Sequence, residues 1–197
     1  MPNYCLNIIT ISHEDPKMVD QAAMTMMDGK FLEEFIPIPE ELKETTAGYS
    51  DDPLQEAKDK ALMEKYGYRN WHDFCVDTWG TKWDPDFQEV TVNGNQITAV
   101  FESAWSPPVA AYEKLEKLGF IIRAYYYEPG MQFAGIYEDG FDEFYNLNDY
   151  ESSDEVAEDI PSELDEAFAI VESMRDWEEF RKVNENYISA IVAELTG

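Results

Sequence analysis

Residues 87–101 read FQEVTVNGNQITAVF, two runs of alternating side chains on either side of Asn93-Gly94. Alternation with a period of two is typical of a strand with one buried face, and an Asn-Gly pair favours a two-residue type I′ turn. The stretch therefore predicts an antiparallel hairpin, and the other elements can be placed before and after it.

A strand and a helix are predicted at the start of the chain. Residues 3–12 are rich in β-branched side chains and alternate in part, which indicates a strand. Ser12 is expected to cap the helix that follows, with Pro16 in its early turns and Gly29 at its end. The hydrophobic spacing between them is helical.

The segment between this helix and the hairpin is predicted to be a helical insert over about 40–80. It is preceded by Pro37 and Pro39, which hold an extended stretch that cannot be a central strand. Two short helices are expected over 53–66 and 70–79.

After the hairpin, Ser106-Pro107-Pro108 predicts a helix start, and Gly119 its end. A strand is predicted over 120–127 (FIIRAYYY), a turn over 128–130, and a returning strand over 131–137 (MQFAGIY). The resulting order, β-α-insert-β-β-α-β-β, predicts an α+β fold. Without its last strand it is the ferredoxin-like split βαβ arrangement, an antiparallel sheet with helices on one face. We assign this domain to residues 1–147.

The chain changes character towards its C-terminus. Residues 138–197 contain 19 acidic and three basic residues, and residues 148–160 have the composition of a solvated linker. Ser162 is expected to cap one long amphipathic helix, or a pair bent near Asp176. Residues 148–197 are therefore predicted to be an acidic linker with a C-terminal helical extension. Its apolar stripe consists of Leu164, Phe168, Val171, Met174, Trp177, Phe180, Tyr187, Ile191 and Leu195.

The overall charge limits the classes of partner. Forty-two acidic and 14 basic residues give a formal charge of −28, which argues against direct binding of nucleic acid or anionic membranes. The expected partner is a basic protein. No apolar run approaches the roughly 18–20 residues that cross a bilayer, and the N-terminus lacks the pattern of a signal peptide. With only two cysteines, Cys5 and Cys75, the sequence predicts a cytoplasmic protein.

Several separated motifs resemble one family. They are NYCLN at 3–7, ISHEDP at 11–16, FIPIPEEL at 35–42, WGTKWD at 79–84, AWSPP at 104–108 and YYYEPGMQFAGIY at 125–137. In this order they resemble the YubB-like family of phage and conjugative-plasmid proteins, over roughly residues 1–145. The resemblance implies a ferredoxin-like domain, a mobile-element origin and a bacterial host cytoplasm. It implies no activity and no catalytic residues.

An aromatic set gives one candidate site. Trp79, Lys82, Trp83, Trp105 and Tyr125 could line a pocket for a small molecule or a partner, because tryptophan is enriched where binding energy concentrates. The alternative is structural: the tryptophans cover the sheet and the lysine pairs with a carboxylate. A nucleic-acid stacking role for Tyr125 and its neighbours lacks the required basic surroundings.

Catalytic and metal signatures are weak. His13 and His72 stand in acidic surroundings, but neither H-x-x-x-H nor C-x-x-C occurs, and no phosphate-binding or nucleophile-elbow motif is present. We therefore predict no metal site, no cofactor and no catalytic residues. An enzymatic ferredoxin-like domain remains an alternative.

The acidity leads to the main hypothesis, a protein that binds and inhibits a basic nucleic-acid-handling host protein. A restriction or CRISPR-type defence complex is the natural target, recognised by an acidic surface that mimics DNA. Ordinary charge complementarity and a scaffold that forms homo-oligomers through its C-terminal helix are the alternatives. The proposed surface consists of Asp154, Glu155, Glu158, Asp159, Glu163, Asp165, Glu166, Glu172, Asp176, Glu178 and Glu179.

Overall fold

The structure is a computed structural model that describes residues 3–48 and 52–196, except for several side chains beyond 185. The chain divides into two compact units, within residues 1–144 and 145–197. We call them the N-terminal and C-terminal units and describe each by itself.

The N-terminal unit contains most of the strands. In chain order its elements are β1 (Tyr4–Ser12), α1 (Pro16–Met27), α2 (Phe31–Phe35), α3 (Glu40–Lys43), α4 (Pro53–Tyr66), α5 (Trp71–Thr78), β2 (Asp86–Asn93), β3 (Gln96–Ala104), α6 (Val109–Lys117), β4 (Ile121–Glu128), β5 (Phe133–Glu138) and β6 (Phe141–Asn146). The prediction of an α+β protein is confirmed.

The six strands form one antiparallel sheet in the order β2-β3-β1-β4-β5-β6. The first strand in the chain lies at its centre, where β1 pairs with β3 from Tyr4↔Ala104 to Ser12↔Gln96 and with β4 from Leu6↔Tyr127 to Ser12↔Ile121. The chain passes through α1 after it leaves β1 and before it reaches β3. It passes through α6 between β3 and β4.

One face of this sheet is buried by α1 and α6. Alternate residues of three adjacent strands, β3, β1 and β4, contribute to one core; Ile9, Ala99 and Ala124 are examples. Ala22 of α1 and Leu115 of α6 belong to the same core. Since successive strand residues point to opposite faces, the helices cover one side of the sheet. The predicted arrangement of helices on one face is consistent with this core.

Two local predictions are wrong in detail. Asn93 pairs with Gln96, so the hairpin loop is Gly94-Asn95, one residue later than expected. Gly94 has φ +63° and Asn95 is not among the residues with positive φ, which excludes a type I′ turn, since that turn needs positive φ at both central residues. Ser12 belongs to β1, and Asp15 caps α1 instead by accepting a hydrogen bond from the Lys17 amide (3.0 Å).

The insert is helical, as predicted, but it contains α2 to α5 and begins before residue 40. Asp84 fixes its first helix from a distance, because its carboxylate accepts hydrogen bonds from the backbone amides of Leu32 (3.0 Å) and Glu33 (2.8 Å). Burial raises the pKa of Asp84, while these two bonds oppose the shift. The connection between α5 and β2 thereby holds the N-terminal end of α2.

The edge strand β6 was not predicted from the sequence, because its residues are largely exposed and show no clear alternation. It is tied to the sheet by Tyr126, whose hydroxyl donates a hydrogen bond to Asp142 (2.7 Å). Burial raises the pKa of Asp142. Gly135 on the intervening strand leaves the space that the Tyr126 ring occupies.

The C-terminal unit is helical. It contains a 3₁₀ turn (Leu147–Asp149), α7 (Ser153–Asp159), α8 (Ser162–Phe168) and α9 (Ile170–Thr196). The predicted linker over 148–160 is therefore wrong, because Ser152 caps a short helix there. The helix break lies at Ala169, which has φ +52°, and not near Asp176. A left-handed alanine can end α8 because Asp165 accepts a hydrogen bond from the amide of Val171 (2.8 Å) just beyond the break.

Gly135→Ala is expected to destabilise the protein by about 3 kcal/mol, at the upper end of ordinary overpacking. An added Cβ would lie 2.2 Å from the Tyr126 hydroxyl oxygen and 2.6 Å from the Glu143 carbonyl oxygen. Urea denaturation measures the change. Gly29→Ala is the control: nothing lies within 4 Å of its Cβ, so only the left-handed backbone cost of about 1 kcal/mol applies. Equal losses in the two variants would contradict the packing described here.

Candidate functional site

Several acidic residues of the C-terminal unit lie at the N-terminal ends of two short helices. The Ser152 hydroxyl accepts a hydrogen bond from the Glu155 amide, and Asp154 and Glu155 lie in the first turn of α7. Carboxylates at a helix N-terminus are favoured by the helix dipole. Glu163 and Asp165 occupy the same position in α8. The sequence therefore places acidic side chains where the backbone stabilises them.

Nine of the eleven predicted surface carboxylates are exposed. The two others, Asp165 and Glu178, are half-buried and hold the unit together. Asp165 accepts the Val171 amide after the helix break, and Glu178 accepts the Ser153 amide (2.7 Å) and hydroxyl (3.2 Å). Their negative charge is therefore used inside the unit, and neutralising them would disturb its folding.

Some of the exposed carboxylates also have local partners. Asp154 forms an ion pair with Arg175 (2.8 Å), Glu155 accepts the Glu151 amide (2.8 Å), and Asp159 accepts the Tyr150 hydroxyl. Five others have no side-chain hydrogen bond or ion pair within the described part of the chain. These are Glu158, Glu166, Glu172, Asp176 and Glu179. They are the carboxylates most available to a partner.

Three of the available carboxylates lie along α9. Glu172, Asp176 and Glu179 are four and three residues apart, so they form a column on one side of the helix. At a rise of about 1.5 Å per residue they are separated by about 6 and 4.5 Å along the axis. Phosphates of one DNA strand rise by about 3.4 Å per nucleotide. The charge density of α9 alone is therefore lower than that of one DNA strand.

Basic residues neutralise little of the negative charge of the C-terminal unit. The C-terminal unit has 15 acidic and three basic residues, a formal charge of −12. Arg175 is paired with Asp154, and the Arg181 guanidinium lies over the Trp177 ring at 5.1 Å. Lys182 is exposed.

The apolar stripe of this unit is buried at one end and exposed further along. Leu164 and Val171 are buried, whereas Trp177 and Phe180 are 55% and 64% exposed. Phe168 and Met174 are half-buried, and the side chains of the three other predicted members, Tyr187, Ile191 and Leu195, lie outside the described residues.

The predicted aromatic pocket residues are not brought together as one set. Trp79 is buried in the core and donates from its indole nitrogen to the Ile36 carbonyl (2.9 Å). Tyr125 alternates with the core residue Ala124, so it lies on the opposite face of the sheet. There the Arg123 guanidinium lies 5.2 Å from its ring.

Lys82, Trp83 and Trp105 lie at one end of the sheet. The Lys82 ammonium is 5.0 Å from the centre of the Trp83 ring, and Trp83 is 36% exposed. Trp105 is 50% exposed. The hydroxyl of Thr81 bonds to the backbone nitrogen (3.0 Å) and oxygen (3.1 Å) of Ala104, so the two tryptophan-bearing segments are neighbours.

Sequence reasoning missed a pair of acidic residues at the same end. Asp86 on β2 and Glu102 on β3 are direct partners in the strand register. The two residues flank the alternating stretch 87–101 directly, Asp86 before it and Glu102 after it. Their pairing follows only if the strands extend by one residue at each end.

The histidines and cysteines have structural surroundings. His13 Nδ1 accepts the Asp15 amide (2.9 Å), and its Nε2 lies 3.1 Å from the Leu118 carbonyl oxygen. Both cysteines are buried, which raises the pKa of each thiol, that of Cys75 to about 12. In the described residues no three His, Cys, Asp or Glu side chains are grouped to hold a metal ion.

The N-terminal unit also has a cleft of about 230 Å³ beside α4. It is lined by Glu41, Glu44, Lys58, Ala61, Leu62 and Lys65.

Among the helices over 3–48 and 52–196, none is both long and apolar enough to cross a bilayer.

Comparison with known proteins gives little. No protein-family model and no curated protein matches the chain. One solved structure that resembles it is the crystal structure of a protein api92 from Yersinia pseudotuberculosis, family-model DUF1281. The two share 12% identity, the match covers 74% of this chain and 98% of that chain, and the TM-score is 0.39. A likeness this distant supports no statement about function.

Trp79→Phe is expected to destabilise the protein by about 2–3 kcal/mol, because it removes a buried hydrogen bond and leaves a small cavity. Trp83→Phe should cost less than about 1 kcal/mol, since its ring is partly exposed and loses only some of its contact with Lys82. Chemical denaturation of both variants checks this. If Trp83→Phe cost as much as Trp79→Phe, the structural division between the two rings would be refuted.

Proposed function

We propose that the N-terminal unit is a ferredoxin-like domain extended by two strands. Its first four strands support this, since they run in the order β2-β3-β1-β4 with α1 and α6 in the two crossover connections. That is the order expected of two interlocked split βαβ units. With the motifs that resemble the YubB-like family, it supports a place among phage or plasmid proteins of the bacterial cytoplasm.

We further propose that the protein binds and inhibits a basic, nucleic-acid-handling host protein through its C-terminal unit. The observation that carries the proposal is the set of exposed carboxylates on α7, α8 and α9 that lack partners within the described residues. A surface of this charge attracts a basic groove over about a Debye length and accelerates encounter at low salt. A defence complex that holds DNA or RNA is the target class that such an inhibitor fits.

Binding is expected to be collective. Exposed ion pairs contribute little one at a time, and the column on α9 is less dense than a DNA strand. Carboxylates from α7 and α8 therefore have to contribute with those of α9. Release of the ions that the basic groove holds would then favour binding and make it depend steeply on salt.

The test compares two triple variants with the same change in charge. Glu172→Gln, Asp176→Asn and Glu179→Gln neutralise the column on α9. Asp20→Asn, Glu64→Gln and Glu113→Gln neutralise three exposed carboxylates of the N-terminal unit. Each tagged variant is used to capture proteins from nuclease-treated bacterial lysate, with elution along a salt gradient and identification by mass spectrometry.

The wild-type protein and the N-terminal variant should both capture one nucleic-acid-binding complex that elutes over a narrow salt range. The α9 variant should release it at a salt concentration at least about twofold lower, because about three ionic contacts are lost. Equal elution of the two variants would contradict a role for the C-terminal surface, and the absence of any nucleic-acid-binding protein would contradict the proposed target.

A further inference from the structure

We infer that Tyr4, Asp86, Glu102 and Trp105 form a docking surface for an arginine side chain of a basic protein; we call it the Trp105 surface. It lies on the N-terminal unit and includes none of the carboxylates of the C-terminal unit. It rests on the proposed function in one respect, the basic character of the partner.

The strand register places Tyr4, Asp86 and Glu102 together. Asp86 and Glu102 are direct partners across β2 and β3, and Tyr4 pairs with Ala104, two residues from Glu102 on the neighbouring strand. Residues two apart in a strand lie on the same face, so Tyr4 and Glu102 are diagonal neighbours at about 7–8 Å between Cα atoms, within reach of long side chains. Trp105 follows directly at the end of β3.

The two carboxylates are placed unfavourably for the isolated protein. Like charges directly opposite each other on paired strands are destabilising. Neither Asp86 nor Glu102 has a side-chain hydrogen bond or ion pair within the described residues. The nearby Lys82 ammonium lies over the Trp83 ring instead. A cation from outside the chain would relieve this repulsion.

Trp105 is also held at a cost. Its φ of +71° is in the left-handed region, which a bulky residue rarely adopts. Three hydrogen bonds fix the turn: the Trp105 amide donates to the Asn3 carbonyl (2.9 Å), the Ser103 hydroxyl to the Ser106 carbonyl (2.8 Å), and the Ser106 hydroxyl to the Gly80 carbonyl (2.5 Å). Surrounding structure that over-determines a strained residue is typical of functional sites. Here it holds a half-exposed indole just beyond the end of β3, three residues after Glu102.

The aromatic rings of this chain show which ligand the indole suits. Lys82 lies over Trp83, Arg123 over Tyr125 and Arg181 over Trp177, each at about 5 Å. Trp105 has no cation or ring partner among the described residues, and neither has Tyr4. Exposed aromatic faces beside unpaired carboxylates match a cation that both stacks and donates hydrogen bonds.

Arginine fits this combination better than lysine. Its planar guanidinium stacks on aromatic rings and donates in a fork to carboxylates, whereas the lysine ammonium is a strongly hydrated point charge. Tryptophan is also the residue most often found where binding energy concentrates at interfaces. The Trp105 surface would therefore contribute specificity to an interaction that the acidic helices make fast.

The test titrates the full-length ¹⁵N-labelled protein with a capped tetra-arginine peptide and, separately, with capped tetra-lysine. The Trp105 indole N–H signal and the Glu102 amide signal report on the surface. Both should shift saturably, and tetra-arginine should bind at least threefold more tightly than tetra-lysine. Absence of a saturable shift at Trp105, or equal affinity for the two peptides, would overturn the inference.

Matched variants separate this surface from general charge. Asp86→Asn with Glu102→Gln should weaken tetra-arginine binding at Trp105 at least fivefold, while Asp20→Asn with Glu64→Gln, which changes the charge equally, should alter it less than twofold. Equal weakening by both pairs would mean nonspecific attraction and overturn the inference.

Trp105→Gly should weaken tetra-arginine binding, followed by the shift of the Glu102 amide signal, at least fivefold. The Tm of this variant should stay within about 2 °C of the wild type or rise, because glycine adopts the left-handed backbone without strain. Undiminished binding by Trp105→Gly would also overturn the inference. The triple variant of α9 should leave the Trp105 titration unchanged. A normal titration together with failure to capture a nucleic-acid-binding complex would therefore reject the proposed function alone.

Discussion

The pairing of β1 on both sides is the interaction on which the N-terminal unit depends. β1 is hydrogen-bonded to β3 along nine residues and to β4 along seven, and its alternate side chains supply the middle of the core. Because α1 and α6 lie on the same face, their apolar residues meet those of β1 directly. This burial opposes the repulsion of a chain with a charge of −28, and it leaves nearly all of that charge at the surface.

Local patterns predicted the elements that depend on local chemistry. The hairpin, the helices over 53–66 and 71–78, and the strands that flank α6 follow from alternation, helical spacing, proline and glycine. Some errors are local, such as the turn type of the hairpin and the residue that caps α1. Others occur where a distant contact decides. The edge strand β6 depends on Tyr126 and Gly135 of neighbouring strands, and Asp84 caps a helix about 50 residues earlier in the sequence.

The candidate surfaces were predictable to different extents. The sequence placed the acidic residues beyond Ser162 on a helix, but it assigned those over 154–159 to a linker that is the helix α7. It also did not distinguish the carboxylates used inside the unit, Asp165 and Glu178, from those left available. It also grouped Trp79 with Tyr125, because adjacent motifs do not indicate which face of a sheet each side chain takes. The Asp86–Glu102 pair emerges only when the strand register is known.

We propose that the acidic helices occupy the nucleic-acid groove of a basic partner. The most direct test mixes the captured partner with a labelled duplex that it binds, adds this protein, and measures the bound fraction of duplex by fluorescence anisotropy. Complete, competitive release of the duplex is expected, with an inhibition constant that rises steeply with salt. A stable ternary complex that retains the duplex would contradict it.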